Sequence, residues 1–441
     1  MRYYHQFAND AIGLVRDRFE SYGDIYYVAN GSSGLYVSNH PDHIRDVLVT
    51  HGSRFGKAHS AFAKLARVLG QGLLNTDGAT WKRHRRMIQP AFHKSRLRGY
   101  TSMMVAEAER ITQRWRDGGS VDLGADMTEL TLRVVSRSLF SHEVAHEVDA
   151  ITSAVSVLQD SFSRPALLPR WLPTPYRRRV RHAIASIDDV MYRLIAARRT
   201  GSSNVASGGE QGDPDLLQML VDVRDEEGDG AGLTDREIRD QLVTFYMAGH
   251  ETTSHALTWT FFLLSQNPDA EAKMHAELTR VLGDRQPTFE DFDDLTYTER
   301  VIKESMRLYP PVYVIARKAT ADTCIGDYQV AAGSEVALWI YMTHHDPRWY
   351  PDPETFQPDR FAEEKTSERP RFAYLPFGAG ARTCIGKTFA TIEAVLILAT
   401  LAQRFRLSLT PGHRVAVKTR VTLTPRYGMK MITHARSGIV T

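Results

Sequence analysis

Cys384 stands near the end of a glycine-rich segment, F-G-A-G-A-R-T-C-I-G, over residues 377–386. Gly378 and Gly380 permit a tight turn whose backbone N–H groups face inward. The apolar run that follows reads as a helix over residues 394–406, so Cys384 falls near a helix N-terminus. The dipole and the free N–H groups there favour a thiolate. Gly386 removes a side chain where a flat ligand must come close. A lone cysteine cannot build a zinc site, but one thiolate is enough for axial ligation of haem iron. Taken by itself, the same cysteine also reads as an inert buried residue, and its neighbours must separate the two readings.

A second group lies in A-G-H-E-T-T, residues 248–253. Gly249 inside a buried helix costs about 1 kcal/mol relative to alanine, so it needs a reason. A flat cofactor or a dioxygen molecule lying against the helix would supply one. Thr252 either bonds back to its own helix or points into a pocket. A buried Glu251 needs a partner or a proton-relay role. Further along, E-S-M-R places Glu304 and Arg307 on one helix face at i and i+3. W-K-R-H-R-R puts Trp81 and Arg85 one turn apart, and Arg317 follows in V-Y-V-I-A-R-K. Read alone, these are a surface ion pair, a basic solvated helix with a tryptophan anchor, and a surface arginine beside Lys318. Cys324, in T-C-I-G-D-Y, reads as structural.

The elements that must hold these residues are mainly helical. Thr234 and Glu237 form a capping-box pattern, T-D-R-E, and Pro268 stops the helix they start. Spanning residues 234–265, it is about 48 Å long, and being apolar on most sides it must be buried. Residues 24–28 and 34–38 look like a hairpin around Gly31 and Gly34, helical patterns dominate residues 41–310, and strand signals return over 320–340 and 415–431. The Pro-punctuated stretch 164–175 reads as a packed loop or as a lid over an apolar pocket. The low-complexity stretch 200–213 and the acidic stretch 224–232 read as loops. No linker separates two cores, so the expectation is a single domain over 1–441. The class is mainly α with small β-sheets.

With 55 Lys plus Arg against 52 Asp plus Glu, the formal net charge is +3, which argues against a dominant polyanion binder, and no nucleic-acid partner is expected. The two cysteines exclude a disulfide framework. Residues 1–19 carry charges throughout and no apolar run is long enough to span a bilayer. The expectation is a cytoplasmic protein with no membrane anchor.

The segment 377–386 resembles the haem-binding loop of the cytochrome P-450 monooxygenases, F-x-x-G-x-R-x-C-x-G, with every fixed position present. The remaining motifs occur in that family's order, with Y-P-P and P-D-R-F (residues 358–361) after E-S-M-R. The resemblance implies the P-450 fold, with the long helix over haem b, Cys384 as iron ligand and Phe377 shielding the sulfur. It implies cofactor contacts at Ala248, Gly249, Gly380 and Gly386, and propionate contacts from Arg382, Arg317, Trp81 and Arg85. It also implies a buried network of Glu304, Arg307 and Arg360 behind the haem, and an acid–alcohol pair, Glu251 and Thr252, that delivers protons during oxygen activation. His250 reads as packing.

The implied reaction inserts one oxygen atom of O2 into an apolar small molecule. Pocket positions are Phe245, Ala248, Val312, Val314, Ile315 and the stretch 55–70. Electrons are expected from a separate ferredoxin or flavodoxin-type donor, docking on Lys82, Arg83, Arg85, Arg86 and Lys94. A peroxide-driven peroxygenase is the main rival, and retention of Glu251 and Thr252 argues against it. A haem-thiolate sensor or carrier is the other, and the lack of an output domain speaks against that.

Overall fold

A computed structural model describes residues 7, 10–30, 33–57, 66, 68–140, 151, 154, 157–158, 174–201 and 215–436. In chain order its elements are α1 (Ala11–Tyr22), β1 (Ile25–Asn30), β2 (Ser33–Ser38), α2 (Pro41–Arg45), β3 (Phe55–Gly56), α3 (Gly78–Ile88), α4 (Lys94–Thr112), β4 (Ser120–Asp122), α5 (Leu123–Phe140), α6 (Pro175–Thr200), α7 (Leu216–Asp222), α8 (Asp235–Gln266), α9 (Pro268–Leu282) and α10 (Thr296–Leu308). They continue with β5 (Ile315–Ala319), β6 (Thr323–Ile325), β7 (Tyr328–Val330), β8 (Glu335–Leu338), α11 (Ile340–His344), α12 (Glu363–Ser367), α13 (Lys387–Arg404), β9 (Phe405–Leu409), β10 (Val417–Thr419), β11 (Leu423–Pro425) and β12 (Lys430–Ala435).

The chain divides into two compact units. Met1–His59, Ala108–Met127 and Thr252–Thr441 form one, and Ser60–Glu107 with Thr128–Glu251 form the other. The first holds every described sheet. Its five-stranded sheet runs β1-β2-β8-β5-β3, with β2 and β8 parallel and the other neighbours antiparallel. A three-stranded antiparallel sheet runs β4-β12-β9, and β6–β7 and β10–β11 are hairpins. The second unit is helical, built on α3, α6, α7, most of α4 and α5, and α8 up to Glu251.

The expected hairpin is β1–β2, with Ile25 opposite Ser38. Helix α8 has 32 residues and starts at the expected cap. The Thr234 N–H donates to Glu237 at 2.8 Å and the Glu237 N–H donates to Thr234 Oγ1 at 3.2 Å. The expected helix 394–406 begins earlier, at Lys387, and ends at Arg404. Its exposed first turn carries Lys387 and Thr388 and so lacks the apolar pattern that marks the buried run Ile392 to Gln403. β5, which carries Arg317, had no strand signal, because its residues I-A-R-K-A mix charge with small side chains. Residues 164–173, 202–213, and 58–65 and 67 of the expected pocket stretch lie outside the described residues. No described helix is long and apolar enough to cross a membrane.

Candidate active site

In the sheet-bearing unit, the loop before α13 is held by its own backbone. The Gly378 N–H donates to Leu375 O at 3.1 Å, Thr383 N–H to Gly380 O at 3.1 Å, and Cys384 N–H to Phe377 O at 2.9 Å. Gly378 and Gly380 both have positive φ, 68° and 69°. A Cβ at Gly380 would lie 2.0 Å from the carbonyl oxygen of Leu48, so only glycine fits. Gly386, with φ −87°, precedes the first residue of α13. The Cys384 side is exposed, in no disulfide, and sits at the N-terminal end of a helix of 18 residues. That end stabilises a thiolate. Phe377 and Arg382 flank it and are half-buried. In the same unit Arg317 is buried on β5, and its Nη1 donates to Ala316 O at 2.9 Å.

Glu304, Arg307 and Arg360 meet as expected. Arg307 donates from Nε and Nη2 to the two Glu304 oxygens at 2.7 and 2.8 Å, a bidentate pair. Its Nη1 also donates to His344 O at 2.8 Å and Pro353 O at 2.7 Å. Arg360 Nε lies 3.3 Å from Glu304 Oε1, and the Gln357 N–H donates to that same oxygen at 2.9 Å. Arg307 and Glu304 are fully buried.

Helix α8 is buried along most of its length, yet its middle opens to solvent. Ala248 is exposed, and Met247, Glu251, Thr252 and His255 are half-buried, a stripe at i, i+1, i+4, i+5 and i+8. Gly249 has a packing reason. A Cβ there would lie 3.1 Å from Val135 Cγ2 on α5, so the space beside this glycine belongs to a neighbouring helix. Thr131 of α5 donates to the His250 carbonyl at 3.0 Å. Burial lowers the His250 pKa to about 4, against a smaller raising effect of its bond to Tyr246 O at 2.7 Å. After Thr252, the Thr253 hydroxyl donates to Glu393 Oε2 on α13 at 3.1 Å. Burial pushes the Glu393 carboxyl up to about 8, although the Thr253 bond pulls the other way.

In the helical unit, α3 carries Trp81 and Arg85, both half-buried, with Arg85 Nε donating to Gln89 at 3.1 Å. The opposite side of α3 is locked down. The Leu73 N–H donates to Gln241 Oε1 at 2.9 Å, which leaves the Gln241 amide N–H to donate to His84 Nδ1 at 3.1 Å. His84 Nε2–H then donates to Glu237 at 3.0 Å. Burial raises the Glu237 pKa, but the bonds from His84 and Thr234 and the charge of Arg83 outweigh it and leave the group at about 2. Arg83 pairs with Glu237 at 3.0 Å and Asp225 at 3.6 Å, and Arg86 pairs with Asp225 and with Glu227 at 3.7 Å. Two members of the expected docking patch, Arg83 and Arg86, are therefore ion-paired within the unit, Arg86 while still exposed, and Lys82, Lys94, Arg96 and Arg98 are exposed as well.

The structure thus gathers Cys384, Phe377, Gly380, Arg382, Gly386, Arg317 and Thr252 in one unit, and Trp81, Arg85, Ala248, Gly249 and Glu251 in the other. Residues that the sequence reading passed over are His84, Gln241, Asp225, His344 and Glu393. Only Glu393 left a signal, as the one charge in the apolar run F-A-T-I-E-A-V-L-I-L-A-T-L-A. Within the sheet-bearing unit the donor set fits haem: an exposed thiol at Cys384, with Arg382 and Arg317 as donors for the haem carboxylates.

A protein-family model described as Cytochrome P-450 matches residues 3–431. Cyclooctatin synthase of Streptomyces melanosporofaciens is 36% identical over 409 residues, 92% of this chain and 87% of its own. Cyclooctat-9-en-7-ol 5-monooxygenase of the same organism is 37% identical over 397 residues, 89% of this chain and 84% of its own. The crystal structure of the cytochrome P450DA heme domain matches with a TM-score of 0.86 at 28% identity, covering 98% of this chain and 93% of that one. The chain belongs to the cytochrome P-450 family, and it is a monooxygenase carrying thiolate-ligated haem b.

Proposed function

We propose that the chain hydroxylates or epoxidises a compact apolar alkene or alkene alcohol, with Cys384 as the proximal ligand and residues 1–441 working as one functional domain. The observation that carries this reading is the opening of α8 at Ala248, an apolar methyl group beside Glu251 and Thr252. Phe245 is buried against Phe92, with ring centroids 5.4 Å apart, and Val314 and Ile315 are half-buried in the other unit. Within each unit, apolar side chains of this kind favour an apolar ligand. The name of the relative that oxygenates cyclooctat-9-en-7-ol, an alkene alcohol, supports the same class.

Bound haem supplies the iron at which O2 is reduced. Cys384 would offer its sulfur to that iron, and Arg382, Arg317, Arg85 and Trp81 would each supply a donor for the haem carboxylates. Glu251 holds a proton at its carboxyl and passes it to Thr252 Oγ1, which presents it toward the oxygen site. His250 is no proton carrier at neutral pH, because burial holds its pKa near 4 and its Nδ1 is bonded to Tyr246 O. Electrons come from a separate ferredoxin or flavodoxin-type protein that meets the exposed Lys82, Lys94, Arg96 and Arg98.

The test is turnover under ¹⁸O2 with a ferredoxin, its reductase and a panel of alkenes and alkene alcohols. One ¹⁸O atom in the product, with a substrate-induced shift of the haem spin state, is the expected result. Products formed with peroxide alone, or a spin shift only with charged compounds, contradict the proposal.

A further inference from the structure

His344, the last residue of α11, is fully buried, and its imidazole bonds at both ends. The Leu375 N–H donates to Nε2 at 3.0 Å. A backbone N–H only donates, so Nε2 is the acceptor and the ring proton sits on Nδ1. Nδ1 lies 3.2 Å from the carbonyl oxygen of Arg307 and donates to it. In return, the His344 carbonyl accepts from the Arg307 guanidinium at 2.8 Å. The ring is packed against Tyr374, with centroids 5.4 Å apart, and edge-on to Tyr350 at 6.5 Å.

From Leu375 the chain of bonds reaches the cysteine. Leu375 O accepts from Gly378, and Phe377 O accepts from Cys384, at 3.1 and 2.9 Å. Leu375 is buried, so its N–H needs this acceptor.

We infer that His344 is a positioning residue of the cysteine loop, fixing through Nε2 the point at which the chain enters that loop. The inference rests on Cys384 being the haem ligand. The charged and titratable groups around the ring are Arg307 and Glu304 on α10, the adjacent His345, and Tyr350 and Tyr374. Burial, with the charges of His345 and Arg307, pushes the His344 pKa well below its ordinary value, so Nε2 stays an acceptor throughout the neutral range. Protonation would set one N–H against another.

Two variants separate the two ends of the ring. His344→Gln places an amide oxygen where Nε2 was and keeps the Leu375 bond. His344→Asn keeps a donor near the Arg307 carbonyl and loses the Leu375 bond. The readout is the holoenzyme's reduced carbon monoxide spectrum, followed in time for loss of the thiolate band. Wild type must show that band; if it does not, the haem-thiolate reading itself fails. Given the band, His344→Asn is expected to lose it about tenfold faster than wild type, the value of one unsatisfied buried N–H. His344→Gln is expected to stay within about threefold of wild type, since its bond is kept. Equal lability of the two variants, or His344→Gln as labile as His344→Ala, overturns the inference. If His344→Asn takes up no haem, the comparison of His344→Gln with His344→Ala decides alone.

Discussion

Glu304 on α10 and Glu393 on α13 are buried to nearly the same depth in the same unit, at 0% and 2% exposure. Glu304 faces two guanidinium groups and a backbone N–H. Glu393 receives a threonine hydroxyl, and burial raises it to about 8. The same side chain is thus an ion-pair partner in one place and a neutral acid in the other. Partners, rather than depth, decide which form is stable. The first arrangement braces the core behind the cysteine loop. The second links α13, which follows Cys384, to α8 at the residue after Thr252.

The largest effect is expected at the ion pair. Arg307→Leu leaves Glu304 buried without its bidentate partner and removes the donors to His344, Pro353 and Thr355. It should cost about 3–5 kcal/mol in urea unfolding of the holoenzyme. A loss below about 1 kcal/mol would erase the contrast between the two glutamates. Matched amides sharpen it. At pH 7, Glu304→Gln should destabilise by several kcal/mol, since Arg307 and Arg360 lose their counter-charge. Glu393→Gln swaps one neutral group for another and should cost about 1 kcal/mol or less, as ordinary hydrogen-bond replacements do.

The pH dependence follows from the raised value of Glu393. Its folded-state pKa, about 8, lies above the ordinary 4.5. Between those values the folded chain keeps a proton that the unfolded chain releases. Stability therefore falls as pH rises through that window, at about 1.4 kcal/mol per unit relative to Glu393→Gln. Unfolding curves at several pH values check this, and parallel curves for the two proteins would show that Glu393 is ionised in the fold. The smallest effect is Thr253→Val, which removes the hydroxyl donor. About 0.5–1.5 kcal/mol is expected, together with a pH-dependent loss that extends to higher pH at the same slope, because the neutral acid is then favoured further.

The contrast also divides what the sequence could reveal. The Glu304–Arg307 pair is written in local spacing, as are the capping box of α8 and the turn around Gly378 and Gly380. Glu393 is visible as a lone charge in an apolar helix, but its partner lies on a helix distant in sequence, and so does that of His344. For Gly249 the sequence offers a ligand-based reason alone, and the packing of Val135 beside it adds a second that local sequence does not show. Arg83 and Arg86 read as a surface patch because Asp225, which holds them, sits in a loop that looks merely solvated. Local periodicity reports which face is buried; it carries no record of which remote side chain meets it.

The most direct test of the central claim, that Cys384 supplies the haem ligand, is the absorption spectrum of the reduced protein with carbon monoxide, for wild type and Cys384→Ala. The account predicts the strongly red-shifted Soret band of thiolate ligation in wild type and its loss in the variant. A band at the position of histidine ligation in wild type, or one unchanged in Cys384→Ala, would contradict it.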